Sequence, residues 1–276
     1  MAELERPDGT RIHYEIQGEE GPALVLASYW SWHPGIYADL FADLASDHRV
    51  STFHLRGTGK SSRNGPYDQG TDIGDLEAVV EAVGGPAILL AVADGSNRAT
   101  KLAARRPDLV AAVINFGTAP FARSTFEGEE GMAASNTVIQ AFGEMLESNY
   151  RGGMRNLIEA TNPQLSEEEL RERIDVQTEF VPAEAALGRW MDWIDDDPRA
   201  EARAVGDRLW IFAAPGIAGP WLPPTEVLQR LMRENMPEAR VVQIESESGP
   251  ISRPDEAAEM VRQVSRRVAG SPSPEV

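Results

Sequence analysis

The stretch AILLAVADGSNRATKLAARRPDLVAAVINFG, Ala87 to Gly117, decides how the rest of the chain is read. It opens with a continuous apolar run, Ala87 to Val92, of the kind that forms a strand buried on both faces. A tight turn follows at Ala93-Asp94-Gly95. Ser96 to Arg106 then has helical character and ends in basic residues before Pro107, suited to a helix C-terminus. Val110 to Phe116 is a second apolar strand. Strand, tight turn, helix and strand within 31 residues make a β-α-β unit, which implies a parallel pair joined by a right-handed crossover.

The same alternation extends outward on both sides. Arg11 to Gln17 alternates like an edge strand, and Ala23 to Ser28 is a short apolar run. Ile36 to Leu44 has helical spacing, Arg49 to His54 is a strand, and Leu76 to Val83 is a helix with acidic residues Asp72 and Asp75 at its start. From about Phe121 the pattern changes and no strong strand is visible. Ser166-Glu167-Glu168-Glu169 is a capping box opening a helix to about Thr178, and a further helix is predicted from Pro182 to Ile194. Alternation resumes with strands at Leu209 to Ala213 and Arg240 to Ile244. Each is followed by a helix, Pro224 to Asn235 and Asp255 to Val268.

Composition bounds the function classes. The chain has 276 residues, enough for one large α/β domain or two small ones. Its net charge of −18 argues against nucleic acid or an anionic membrane surface as a partner. There is no cysteine, so thiolate nucleophiles, disulfides and thiolate metal sites are excluded. No apolar signal segment or membrane span is visible, which makes the expected location cytoplasmic. No cofactor motif is found. Gly57-Thr58-Gly59-Lys60-Ser61 lacks the spacer of a phosphate loop. Four histidines are present, His13, His33, His48 and His54, and none follows His54.

Three local motifs carry a resemblance. His54-Leu55-Arg56-Gly57-Thr58-Gly59-Lys60-Ser61 looks like the D-x-R-G-x-G-x-S turn of the α/β-hydrolase superfamily. Leu102 to Pro107 looks like the end of its nucleophile helix, and Ser252-Arg253-Pro254-Asp255-Glu256 like the start of its last helix. Their order resembles that superfamily over nearly the whole chain. The resemblance implies a doubly wound, mostly parallel α/β sheet with an all-helical lid insertion. Residues 1–120 and 207–268 would form the core, 121–206 the lid, and 269–276 a disordered tail.

Carried over position by position, the resemblance also implies a substituted triad. The family places its nucleophile in a G-x-S-x-G elbow, an acid after the seventh strand and a histidine after the eighth. Here Ala93 falls on the nucleophile position. Ala214 to Trp221 contains no carboxylate, and Pro250 stands where the histidine is expected. The remaining candidates are Asp94 and His33. Asp94 is read either as a helix N-cap or as a ligand-facing carboxylate, and Arg98 is placed to pair with it at i,i+4. His33 is read either as packed in its tryptophan-rich loop or as the partner of Asp94 in a proton-transfer dyad. His54 is expected to be structural, and His13 and His48 peripheral. Ser28, Tyr29, Trp30, Trp32, Ala93, Trp221 and Pro250 are the expected lining of a pocket for a small apolar or aromatic ligand. Trp190 and Trp193 are expected to hold the lid to the core. Glu245 and Glu247 stand near the missing histidine.

The resulting expectation is a non-hydrolytic enzyme of cyclase, lyase or isomerase type, with secondary-metabolite biosynthesis as a setting by fold analogy. The alternatives are a ligand-binding pseudoenzyme and a divergent serine hydrolase or esterase using Ser96 or Ser28. Nothing in the sequence fixes an oligomeric state.

Overall fold

The computed structural model describes residues 2–27, 29–117, 128, 132–162, 164–213, 225–245 and 249–270. Its centre is an eight-stranded sheet: β1 (Ala2–Glu5), β2 (Arg11–Gln17), β3 (Ala23–Ala27), β4 (Arg49–Phe53), β5 (Ala87–Ala91), β6 (Val110–Phe116), β7 (Leu209–Ala213) and β8 (Arg240–Gln243). The spatial order is β1-β2-β4-β3-β5-β6-β7-β8. The β1/β2 and β2/β4 pairs are antiparallel, and every later pair is parallel. The α/β class and the mostly parallel sheet are as the sequence implies. β1 is an addition: its sequence AELE has no apolar run, and it joins the sheet through backbone pairing to β2.

The central strands bury both faces, and the period-2 geometry of a strand separates them. Ile88 and Leu90 of β5 face one layer, and Leu89 and Ala91 the other. The first layer contains α1 (Ala38–Leu44) and α10 (Pro254–Val268), through Leu40, Phe41, Leu44, Val261 and Val264. The second contains α2 (Gln69–Val83), α3 (Asp94–Arg105), α8 (Arg199–Val205) and α9 (Thr225–Asn235). Asp68 caps α2 by accepting Thr71 N–H at 2.7 Å.

Between β6 and β7, the described residues form α4 (Met132–Ser148), α5 (Tyr150–Thr161), α6 (Glu167–Phe180), α7 (Ala183–Trp193) and α8, with no strand among them. Both bonds of the Ser166/Glu169 capping box are present at the start of α6. A third apolar core lies within this helical insertion, and Trp30 and Trp32 from the loop after β3 are part of it. Residues 271–276, most of the expected tail, lie outside the described residues.

Candidate active site at the elbow

β5 lies in register with β3 and β6, Ala91 opposite both Ala27 and Asn115. The loops after β3 and β5 therefore leave the sheet side by side at its carboxyl edge, where open α/β sheets bind ligands. After β5 the chain turns within two residues and enters α3. Gly95 N–H donates to Val92 O at 3.1 Å and Ser96 N–H to Ala93 O at 2.9 Å. Ala93 has φ 49° and ψ −126°, and it is the one non-glycine with positive φ among the described residues. This is the strained strand-to-helix turn that exposes a nucleophile in α/β hydrolases. Here it carries a half-buried methyl group.

Asp94 is the first residue of α3. The N-cap position belongs to Ala93 and has no side-chain cap bond, so Asp94 does not act as the N-cap. Its carboxylate is turned inward and fully buried. One oxygen accepts Trp30 N–H at 3.1 Å, and the other accepts Arg98 Nη1 at 2.5 Å. Arg98 also reaches Asp72 at 3.7 Å and Gln69 Oε1 at 3.4 Å. Asp72 in turn takes a two-pronged bond from Arg189 of α7 at 2.6 and 2.9 Å, and Arg189 donates to Arg56 O at 2.7 Å. Asp94, Arg98, Asp72 and Arg189 thus alternate in sign, and each is 0% exposed. Burial pushes the Asp94 carboxyl above its ordinary range, while Arg98 and the Trp30 N–H pull it back. The expected Arg98 pair is present, and the chain of charges ties the elbow to the insertion.

The Asp94 carboxylate is bonded to Trp30 and Arg98 and not to His33, so of the two readings of His33 the packed, backbone-bonded one holds and the dyad does not form. The His33 N–H donates to Gln177 Oε1 at 2.8 Å, and its Nδ1 accepts Gly35 N–H at 2.9 Å. Its ring packs on Phe180 and His54. His13 and His48 are buried. His48 bridges Asp47 and Ser265 at 2.7 and 2.8 Å, holding the start of β4 to α10.

The aromatic loop divides. Trp30 is fully buried against Trp190, and Trp32 is nearly so. Both join the Trp190 packing expected of the insertion alone. Tyr29 is half-buried, with its ring stacked on Trp32 at 6.1 Å. Burial, and then the Asp94 charge, push its phenol up to about 12. Tyr37, not singled out in the sequence, is raised for the same reasons, with Tyr29 adding to the effect. Pro250 is half-buried in the turn before α10, and Glu245 is exposed. Ser28, Trp221 and Glu247 lie outside the described residues. Ser96 is fully buried, and its hydroxyl has no hydrogen-bond partner, imidazole included.

Chemically, the elbow presents no heteroatom, and no described histidine or free carboxylate stands beside it. In α/β hydrolases a backbone N–H from the loop after β3 helps bind the oxyanion. The Trp30 N–H of this loop is occupied by Asp94. Sequence reasoning missed Arg189, Asp72 and Gln69. Their one local signal was the acidic start of α2, which reads as an ordinary dipole match.

Comparison with known proteins agrees with the architecture. A family model described as "alpha/beta hydrolase fold" matches residues 21–200. Pimeloyl-[acyl-carrier protein] methyl ester esterase of Nitrosospira multiformis is 29% identical over 151 residues, 53% of this chain and 56% of that one. The chain therefore matches little more than half the length of that relative. The esterase of the same name from Xanthomonas campestris pv. campestris is 27% identical over 209 residues, 72% of this chain and 78% of that one. Among solved structures, the enol-lactonase from Burkholderia xenovorans LB400 superposes with TM-score 0.68 at 23% identity, covering 93% of this chain and 97% of that one, a likeness of fold. With more than half of its length matched by the family model and the sheet order and elbow in place, this chain belongs to the α/β-hydrolase fold family.

Proposed function

We propose that this chain is a divergent hydrolase that takes a small, largely apolar ester or lactone at the elbow, and that its chemistry does not run through an elbow nucleophile. The observation that carries the second half is Ala93: the strained geometry of the turn is kept, but the side chain at its tip is a methyl group. The substrate class rests on the relatives, whose names are those of ester- and lactone-cleaving enzymes. They favour the hydrolase alternative over the cyclase, lyase or isomerase reading. The apolar character rests on the half-buried ring of Tyr29 and the tryptophans behind it. The helical insertion would serve as the lid. The attacking group is then water.

A second reading, a pseudoenzyme that binds the same ligand without turnover, is favoured by one specific observation. No histidine follows His54, so the family's base is missing whichever serine is considered.

The test is turnover of short- and medium-chain p-nitrophenyl esters and lactones, with and without fluorophosphonate pretreatment, alongside tryptophan quenching by the same compounds. The expected result is turnover that fluorophosphonate leaves intact. An adduct mapped to Ser96 or Ser28, with loss of turnover, would assign the serine mechanism instead. Saturable quenching without product would establish the binding reading, and neither binding nor turnover would overturn both.

A further inference from the structure

Three of the four histidines meet where α6 touches the core. His13 comes from β2, His33 from the loop after β3, and His54 from just beyond β4. The His13 and His54 ring centroids are 4.9 Å apart, and those of His33 and His54 6.0 Å. Phe180, the last residue of α6, packs edge-on against His33 at 4.5 Å and His54 at 4.8 Å. Two hydrogen bonds fasten α6 at the same place. Gly59 N–H donates to Phe180 O at 2.8 Å, and His33 N–H to Gln177 Oε1 at 2.8 Å. The fit is close: a Cβ on Gly59, which has φ +49°, would meet His54 Nδ1 and Phe180 Cε2 at 2.4 Å each.

Two of the imidazoles work as acceptors. Gly35 N–H donates to His33 Nδ1 at 2.9 Å, and Lys60 N–H to His54 Nδ1 at 3.0 Å. A protonated ring nitrogen cannot accept, so the rings are neutral in this arrangement, and protonation at Nδ1 breaks a backbone bond. The charged and titratable neighbours are His13, Glu15 and Lys60. Glu15 is already shared, 3.1 Å from His13 Nε2 and 3.5 Å from Lys60 Nζ. From α6 come Phe180 and Gln177, which do not titrate. Burial, then His13, His33 and Lys60, push His54 down to about 4, and burial lowers His33.

The fastening of α7 is of another kind. Arg189 holds Asp72, Asp192 Oδ2 accepts Gln69 N–H at 2.6 Å, and Asp196 accepts Asn97 Nδ2, with no histidine in any of these bonds. The chain between the two fastenings, Val181-Pro182, is extended.

We propose that the His13/His33/His54/Phe180 cluster is an acid-sensitive latch, which on protonation releases α4–α6 from the core while Arg189 keeps α7 in place. The direction follows from linkage. An imidazole held below its free value of 6.5 favours the closed form above pH 6.5, and that advantage is lost as pH falls towards 4. From His54 alone the closed-to-open ratio falls by up to roughly 20-fold between pH 7 and pH 5. Opening would part Phe142 of α4 from Trp190 of α7, 5.0 Å apart between ring centroids, and uncover the apolar core that Trp30 and Trp32 share with α4–α7.

The experiment is hydrogen–deuterium exchange of the full chain at pH 7.5 and pH 5, corrected for intrinsic rates, on wild type and on His33→Asn/His54→Asn. Asparagine keeps an acceptor for each backbone N–H and cannot titrate. The expected wild-type result is faster exchange at pH 5 in peptides of residues 132–180 but not of 183–205, abolished in the double variant. Equal change in both segments, no change, or opening that persists in the double variant would overturn the latch. Should the double variant not fold, the imidazole C–H titrations of the wild type decide. Values for His33 and His54 at or above 6.5 would overturn it, and values below 6.5 that coincide with exchange in 132–180 would support it.

Discussion

Replacing Asp94 by asparagine tests whether this carboxylate is structural or chemical. In the folded chain it accepts Trp30 N–H at 3.1 Å and pairs with Arg98 at 2.5 Å, with all three residues fully buried. Asparagine keeps an oxygen for the Trp30 N–H, so that bond, worth about 1 kcal/mol, survives. What is lost is the charge opposite Arg98. Breaking a buried pair from one side costs about 3–5 kcal/mol, because the remaining ion stays buried. Asp72 at 3.7 Å offsets part of this, but its oxygens are already engaged by Arg189. The expected loss is therefore about 3 kcal/mol, near the lower end. Urea denaturation at neutral pH, followed by tryptophan fluorescence, measures it as a lower midpoint with unchanged slope. Arg98→Met alone should also destabilise, and by more as pH rises from 4 upward, since burial lets the orphaned Asp94 carry a proton at low pH. The double variant should recover much of the loss, giving a coupling energy of about 2 kcal/mol or more. A group that handled protons would instead lose about 100-fold in turnover at unchanged stability. An Asp94→Asn midpoint within about 0.5 kcal/mol of wild type, or additive single variants, would refute the structural assignment.

Further expectations follow from the elbow and the insertion. Ala93→Gly should raise the melting temperature, with a gain of about 1 kcal/mol, because glycine adopts φ 49° without a Cβ clash; a fall in melting temperature would contradict the strain. Ala93→Ser restores the hydroxyl but not the base, so p-nitrophenyl ester turnover should stay within about 10-fold of wild type, and a gain of about 1,000-fold would show that a relay exists. Arg189→Met leaves Asp72 facing Arg98 alone and should cost about 3 kcal/mol or more in the same urea assay, with a loss below about 1 kcal/mol counting against the buried chain of charges.

Much of the fold was legible because its signals are local. Continuous apolar runs mark β3, β5 and β6, the capping box marks α6, and Ala93 takes the nucleophile position once Leu102 to Pro107 fixes the register. β1 was hidden because two glutamates alternate with small and apolar residues, and only its partner strand makes it a strand. The candidate site was legible in what it lacks and opaque in what it contains. Asp94 and Arg98 are four residues apart, and their pairing could be foreseen. Arg189 and Asp72 are 117 residues apart, and no periodicity links them.

The histidines make the same point in the opposite direction. His33 follows β3 and Asp94 opens α3 just after β5, at the carboxyl edge of adjacent strands, so chain order alone brings them together. In the folded chain Asp94 turns down into α3 to meet Arg98, while His33 turns out towards His54 and Phe180. Which way each side chain turns depends on where the neutralising charge lies. Arg98, Asp72 and Arg189 sit beneath the elbow, so the carboxylate is stable there. The position beside His54 offers backbone N–H donors to neutral imidazoles instead. An uncompensated buried carboxylate at the elbow would cost several kcal/mol. The methyl of Ala93 and the inward turn of Asp94 therefore stand side by side: the elbow tip carries no hydroxyl, and the carboxylate next to it faces the buried charges that run through Arg98 and Asp72 to Arg189 of the insertion.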